Sequence, residues 1–107
     1  MNRGDIVICA LAGDYGKPRP AVIVQSDLFN PTHASVVVCP VTSHIVDAPL
    51  FRISIPAGGK TGLTVKSQAM VDKLTAIKAD RIKQRIGALN PKQKSEMDAA
   101  LKLWLGL

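Results

Sequence analysis

The sequence predicts a small antiparallel β-barrel followed by one C-terminal α-helix. Short runs rich in Val and Ile alternate with turns that contain Gly, Pro and Asp, a pattern typical of short strands. No helical pattern separates these runs, which argues against a parallel sheet built from βαβ units. Helical periodicity appears only after residue 90. A chain of 107 residues with 47% hydrophobic content is predicted to form one domain over residues 1–107, with the barrel over about 4–89.

The first three strands are predicted from apolar alternation and β-branching. Asp5 to Leu11 places apolar side chains on both faces, so both faces are expected to be covered. Arg19 to Gln25 has its proline at the start, where a missing N–H breaks no interior ladder bond. Ser35 to Thr42 is strongly β-branched. Pro40 within this run predicts an edge strand or a bulge.

The later strands are shorter and less regular. Leu50 to Ile55 alternates, and the Gly-rich segment 56–62 after it predicts a flexible turn. Leu63 to Asp72 is predicted as one strand with a polar face. Leu74 to Ile77 and Gln84 to Leu89 are the last two predicted strands, with a turn at 79–81 between them.

The C-terminal helix has the clearest signals. Asn90 suits the N-cap position and Pro91 the first helical position. Apolar residues then recur at the spacing of one helix face, and Gly106 is suited to end the helix. The sequence therefore predicts a helix over about 91–105 that packs against the sheet or a partner; its apolar face comprises Met97, Ala100, Leu101, Trp104 and Leu105.

The charge balance indicates a polyanionic partner. Fourteen Lys and Arg against eight Asp and Glu give a net charge of +6, which attracts nucleic acid or an acidic protein. No apolar run is long enough to span a bilayer, and the N-terminus does not resemble a signal peptide. The chain is therefore expected to be soluble and cytoplasmic, without membrane association.

Neither a disulfide nor a metal site is expected. Cys9 and Cys39 fall inside Val- and Ile-rich runs, where a free thiol packs as a small apolar group. Neither cysteine has a second Cys or a His at ligand spacing, and His33 and His44 have no carboxylate cluster between them. We therefore expect no metal and no other cofactor.

Two segments have residues suited to phosphate binding. Gly59-Lys60-Thr61 resembles the end of a P-loop, but Ser54 stands where the first glycine would be and the chain beyond alternates like a strand. Nucleotide binding is therefore rejected, and the segment is expected to form a rim beside a groove. Thr42, Ser43 and His44 end a strand and could bind phosphate. The alternative is an ordinary strand-exit turn whose hydroxyls satisfy their own backbone.

Several motifs in order along the chain carry a family resemblance. They are Arg3–Val7, Lys17–Ser26, Val38–Ser43, Gly62–Leu63 with Ser67–Lys73, and Ile86–Leu89. An Arg-Pro-Ala-Val strand start followed about twenty residues later by a Pro-x-Thr-Ser strand end is specific as a pair. In these motifs the chain resembles the MazF/PemK family of bacterial toxins.

The resemblance implies a homodimer of SH3-like barrels that acts as a metal-independent, sequence-selective endoribonuclease on single-stranded mRNA. It also implies an acidic cognate antitoxin that covers the active groove. Arg19 and Thr42 match the family's catalytic pair, and Asp14 matches an acidic residue found in several members. Another branch uses an arginine and an aspartate two residues apart; this chain has Asp72 but carries Met70 in place of the arginine.

RNA chemistry makes these residue types reasonable. The 2′-hydroxyl can attack the adjacent phosphorus, leaving a 2′,3′-cyclic phosphate and a 5′-hydroxyl, if an enzyme assists proton transfer and stabilises the added negative charge. Arg19 offers a planar fork of donors for two phosphate oxygens, and Thr42 a neutral donor. The expected order for the general base is Asp14, then Arg19, then His44. The alternative for Arg19 is a surface arginine paired with Asp14 or Asp27.

Further RNA-binding residues are predicted in the loops, because single-stranded RNA is read on unstacked bases. Tyr15 could stack a base, or could instead cover the end of the barrel. The other predicted contacts to phosphate or base edges are Lys17, Ser43, His44, Lys60, Gln68 and Asp72.

Two other functions remain open on the sequence. One is a non-catalytic CcdB-like toxin of the same barrel type that binds DNA gyrase, which would not need the pair of Arg19 and Thr42. The other is an SH3-like module that only binds RNA or a peptide.

Overall fold

A computed structural model of the chain describes residues 1–11, 13 and 16–107. These residues form seven strands, two short 3₁₀ turns and one α-helix. The strands are β1 (Asp5–Ala10), β2 (Pro18–Ile23), β3 (Ser35–Thr42), β4 (Arg52–Ile55), β5 (Ser67–Met70), β6 (Thr75–Lys78) and β7 (Ile82–Ala88). The 3₁₀ turns are Val71–Lys73 and Ala79–Arg81, and the helix is α1 (Pro91–Leu105).

The strands form one antiparallel, barrel-like sheet that remains open. Its order is β4-β5-β3-β2-β1-β7, and β6 pairs with β3 beside this path. β3 therefore has three neighbours: β2 along one edge, and β6 and β5 in succession along the other. The predicted class, mainly β with a C-terminal helix, is confirmed.

Pro40 lies in the middle of this sheet, so the predicted edge position is wrong. It pairs with Ala21 of β2. On the opposite edge of β3, the pairing with β6 ends at Val38 and the pairing with β5 begins at Val41. The proline therefore occupies the gap between two partner strands, where the missing N–H removes no ladder bond.

The faces of β1, β2 and β3 contribute to two apolar clusters. One contains Ile6, Val22, Cys39 and Val41 together with β4, β5 and helix residues, among them Met97. The other consists of Val7, Cys9, Ala21, Ile23, Val36, Val38 and Ile77. Because alternate residues of one strand enter different clusters, both faces of these strands are covered, as the continuous apolar run of β1 predicts.

Four strands are shorter than predicted: β1 ends at Ala10, β4 begins at Arg52, and hydrogen bonds account for the shortening of β2 and β5. β2 ends at Ile23 because the N–H groups of Val24 and Gln25 both donate to the carbonyl of Val37, at 3.2 and 3.3 Å, which interrupts the regular ladder. β5 begins at Ser67, and residues 64–66 before it are exposed. The Ser67 hydroxyl donates to the carbonyl of Val65 at 3.0 Å and fixes the turn that the alternating pattern does not reveal.

The helix forms as predicted. The N–H of Gln93 donates to Asn90 Oδ1 and the N–H of Asn90 donates to Gln93 Oε1, both at 2.8 Å, which completes a capping box. Gly106 ends the helix in the left-handed conformation, with φ of 72°. Met97 is buried, whereas Trp104 is 49% exposed and contacts the ring of Phe51 with a centroid distance of 5.7 Å. No helix in the described part of the chain is long and apolar enough to cross a membrane.

Candidate active site

The strand register brings Arg19 and Thr42 to one place. Ala21 pairs with Pro40 in the antiparallel β2–β3 ladder. Arg19 lies two residues before Ala21 and Thr42 lies two residues after Pro40, so in this antiparallel pair both lie toward the same end of the two strands. Both residues line one cleft of about 420 Å³. Two motifs far apart in sequence therefore meet because β2 and β3 are antiparallel neighbours.

The cleft is lined by both polar and apolar residues. Its polar lining comprises Arg19, Thr42, Ser43, Thr64 and Ser67. Its apolar lining comprises Leu11, Pro20, Pro40, Val41, Leu63, Val65 and Met70. A guanidinium with several hydroxyls can bind an anionic phosphate, and an apolar wall can receive the flat face of a nucleobase. The cleft therefore suits a nucleotide unit.

The hydroxyl of Thr42 is already oriented. Its Oγ1 accepts a hydrogen bond from the backbone N–H of His44 at 3.1 Å. A hydroxyl has one proton to donate and two lone pairs to accept with, so this contact leaves its proton for another acceptor. The strand-exit turn predicted as the alternative is thus present, and the same residue also lines the cleft.

The structure brings only part of the predicted set to the cleft. Ser43 lines it, whereas His44 is exposed and not among the lining residues. Lys17 is exposed two residues before Arg19 and does not line the cleft either. Lys60 lines a separate groove of about 260 Å³ beside the start of α1.

Gln68 is buried away from the cleft. Only 6% of it is exposed, and it lies beside a different groove of about 480 Å³ between β4, residues 46–50 and α1. Its amide bonds the backbone of Val46 and the side chain of Arg52. Gln68 therefore lies beside this second groove, with both of its amide atoms bonded to protein.

Asp72 is set back from the cleft, whereas Met70 lines it. Asp72 is half-buried in the 3₁₀ turn after β5, and its Oδ1 is buried without a hydrogen bond in the part of the chain that the structure describes. Burial, together with the negative charge of Asp72, raises the pKa of Cys39 to about 12. Met70 thus gives the cleft an apolar contact where the other branch of the family would place a cation.

The raised pKa of Cys39 has a measurable consequence. A thiol that ionises near pH 9 when unfolded and near pH 12 when folded favours the folded state below pH 9, and this contribution falls as the pH rises from 9 toward 12. We expect the free energy of unfolding to decline above pH 9 by up to about 1.4 kcal/mol per pH unit from this group. Denaturant titrations at pH 8, 9 and 10 would show a shallower decline in Cys39→Ala; an identical slope would contradict the assignment.

Asp14 and Tyr15, predicted as a general base and a stacking residue, lie outside the described residues. Asp27, a possible partner of Arg19, bonds elsewhere: its Oδ1 accepts from the backbone N–H of Arg3 at 2.6 Å and from Asn30 Nδ2 at 3.1 Å. Within the described part of the chain, no group of three or more His, Cys, Asp and Glu residues is placed to hold a metal ion.

Sequence reasoning missed several lining residues and the support of Thr42. Thr64, Val65 and Ser67 were assigned to a regular strand, although a Gly-rich segment directly before them is a signal for a turn at a cleft rim. Arg52 gives no such signal, because an arginine at the start of a short strand resembles any solvated cation.

Comparisons with known proteins identify the family to which the chain belongs. The family model described as "PemK-like, MazF-like toxin of type II toxin-antitoxin system" matches residues 2–105. The chain is 44% identical to the "Probable endoribonuclease MazF" of Mycolicibacterium smegmatis, covering 100% of this chain and 98% of that protein. It is 32% identical to the "Endoribonuclease MazF9" of Mycobacterium tuberculosis, with coverage of 100% and 98%.

Solved structures show the same fold. The Mycobacterium tuberculosis toxin MazF-mt6 superposes with a TM-score of 0.83 at 22% identity, covering 96% of this chain and 97% of that one. A mycobacterial endoribonuclease solved in complex with its cognate antitoxin gives a TM-score of 0.82 at 22% identity, with coverage of 100% and 96%. With a family match over nearly its whole length and close relatives of the same size, this chain belongs to the PemK-like, MazF-like toxins of type II toxin–antitoxin systems.

Proposed function

We propose that this chain is a sequence-selective endoribonuclease that cleaves single-stranded mRNA in the cytoplasm as the toxin of a toxin–antitoxin pair. The observation that carries the proposal is the convergence of Arg19 and Thr42 in one cleft. The names of the full-length relatives support the same activity. A gyrase-binding toxin would have no need of a phosphate-binding pair at this position.

The proposed reaction is an internal phosphoryl transfer. The 2′-oxygen of one nucleotide forms a bond to the adjacent phosphorus, the bond from phosphorus to the 5′-oxygen breaks, and the 2′-proton passes to a base while the 5′-oxygen gains a proton. The products are a 2′,3′-cyclic phosphate and a 5′-hydroxyl. Negative charge grows on the phosphate oxygens, where the donors of Arg19 and Thr42 stabilise it. The chemistry requires only proton transfer and charge stabilisation, so we propose that it proceeds without a metal.

We assign the base in the order Asp14, Arg19, His44. A carboxylate five residues before Arg19 is the better acceptor in chemical terms, because an arginine is a poor base. The exposed His44 ranks last because it is not among the residues that line the cleft. Asp14→Asn is expected to slow cleavage and to remove the acidic limb of the pH–rate profile, as measured on a short labelled RNA.

The cleft also supports a proposal for RNA contacts. The apolar residues Leu63, Val65 and Met70 line the same cleft as the polar donors, and we call them its apolar wall. A base next to the scissile phosphate can lie on this wall once it is unstacked, which explains a preference for single strands. Ser43 is a predicted contact to phosphate or base edges that lines the cleft. We propose Lys17 and Lys60 as contacts further along the RNA, and Tyr15 and Asp72 remain predicted RNA contacts.

We propose a homodimer and an acidic antitoxin as the protein partners. Near the end of α1 the large apolar side chains Leu103, Trp104, Leu105 and Leu107 are about half exposed or more, and Leu50 is exposed as well. Apolar side chains in such number near one helix end are typical of a covered surface. The net charge of +6 favours an antitoxin segment rich in Asp and Glu that folds on binding.

The decisive experiment is cleavage of a long RNA in EDTA, followed by mapping of the new ends. We expect discrete cuts with 5′-hydroxyl and 2′,3′-cyclic phosphate termini. Adding the purified cognate antitoxin should stop the cuts. RNA that remains intact, with or without Mg²⁺, would exclude the nuclease and favour the gyrase-binding or RNA-binding alternative, which a DNA supercoiling assay and an RNA gel shift would then separate.

A further inference from the structure

The buried amide of Gln68 is bound to the segment that follows the active-site threonine. Gln68 lies in β5, where its backbone pairs with Thr42 on one side and with Ser54 on the other. Its Nε2 donates to the carbonyl of Val46 at 2.9 Å, and its Oε1 accepts from the N–H of Val46 at 3.2 Å. The side-chain amide of Gln68 thus pairs with both the N–H and the carbonyl of Val46, as the backbone of a neighbouring strand would.

Arg52 links the Gln68 amide to the backbone of His44. Its Nη1 donates to Gln68 Oε1 at 2.8 Å and to the carbonyl of His44 at 3.2 Å. The N–H of His44 in turn donates to Thr42 Oγ1 at 3.1 Å. A continuous set of hydrogen bonds therefore runs from the buried amide to the hydroxyl in the cleft.

The direction of each bond determines what Thr42 can do. Since Oγ1 already accepts from His44, the hydroxyl is held with one lone pair occupied and its single proton available. If the His44 N–H moved away, the hydroxyl could rotate and give its proton to a backbone carbonyl, as Thr residues often do at strand ends. A donor that must meet a developing phosphate charge has to be oriented beforehand.

We propose that Gln68, acting with Arg52, is a positioning residue that keeps the Thr42 hydroxyl oriented as a donor to the scissile phosphate. The inference rests on the proposed function, because it takes Thr42 as a group that contacts RNA. It also assigns Gln68 a different role from a direct RNA contact: the residue is 6% exposed, and both polar atoms of its amide bond protein.

A double-mutant cycle tests this role. Thr42→Val is expected to lower kcat by on the order of 10²-fold. Gln68→Leu, which keeps the volume and removes the amide, is expected to lower kcat roughly 10-fold with little change in KM, because small displacements of a donor are costly. In the Thr42→Val background, Gln68→Leu should lower kcat by less than about twofold, since the group it positions is absent.

Gln93 is the matched control for loss of stability. It is also a buried amide that bonds backbone, with 8% exposure, but it caps α1 beside another groove. Gln93→Leu should lower the melting temperature and leave kcat unchanged. If Gln68→Leu does not fold, Arg52→Met replaces it in the cycle, because methionine keeps the length of the side chain and removes the Nη1 that donates to both Gln68 Oε1 and the carbonyl of His44.

The outcomes separate this inference from the proposed function. Equal effects of Gln68→Leu with and without the Thr42 hydroxyl, or a rise in KM at constant kcat, would overturn the positioning role. Thr42→Val with an unchanged kcat would overturn both the pair of Arg19 with Thr42 and the role of Gln68. A lowered kcat in Thr42→Val together with a wild-type kcat in Gln68→Leu would overturn the positioning role alone. The proposed function would still hold.

Discussion

Arg19→Ala is expected to slow RNA cleavage by on the order of 10²-fold or more, because it removes a charged donor pair from the site where phosphate charge develops. The fold should survive, since Arg19 is exposed at the start of β2 while the buried residues of that strand begin at Ala21. The measurement is the single-turnover rate on a defined RNA, with circular dichroism as the test of folding.

Two companion variants sharpen this result. Arg19→Lys keeps the charge but loses the planar fork, so we expect a rate between those of the alanine variant and the wild type. Arg81→Ala removes one positive charge from an exposed turn that does not line the cleft, and its rate should stay within about twofold of wild type if only long-range attraction is lost. Cleavage by Arg19→Ala at the rate of Arg81→Ala would show that the cleft is not the active site.

Much of the fold could be predicted because its signals are local. The N-cap of Asn90 and the left-handed Gly106 depend on neighbouring residues alone, and both ends of α1 are found where the sequence sets them. The burial of both faces of β1 follows from its continuous run of apolar residues. The helix caps and the apolar run of β1 each predict their own element correctly, whereas the alternation over residues 63–72 does not reveal the turn that shortens β5.

The features that sequence reasoning placed wrongly depend on neighbours in space. Pro40 is compatible with a central strand only because β6 and β5 leave a gap between them, and no local pattern records that gap. Gln68 looks like a polar residue on the solvent face of a strand, but Val46 and Arg52 supply partners that make its burial possible. The meeting of Arg19 with Thr42 was predicted from paired motifs, and its physical cause is the β2–β3 register.

Gly87→Ala is expected to destabilise the fold by roughly 3 kcal/mol or more, because an added methyl group has no room. A Cβ at Gly87 would lie 2.3 Å from the carbonyl carbon of Thr61 and 2.5 Å from the carbonyl oxygen of Lys60. Both obstacles are backbone atoms, so no side-chain rotation can relieve the contact. Hydrogen bonds also hold this Gly-rich segment in place. The Thr61 hydroxyl donates to the carbonyl of Pro56 at 2.9 Å, and the N–H of Ala88 donates to the carbonyl of Lys60 at 2.9 Å.

Gly59→Ala, in the same Gly-rich segment, is the matched control. A Cβ there would meet no atom within 4 Å, and its φ is outside the left-handed region, so we expect a change within about 0.5 kcal/mol. Chemical denaturation of the two variants measures the difference, and equal midpoints would contradict the close packing of this segment on β7. Thr61 lies two residues before Leu63, which lines the cleft together with Val65. A displacement of Thr61 by Gly87→Ala should therefore also slow cleavage, whereas Gly59→Ala should not. The segment expected from its glycines to be a flexible turn would thereby be shown to hold one wall of the cleft in place.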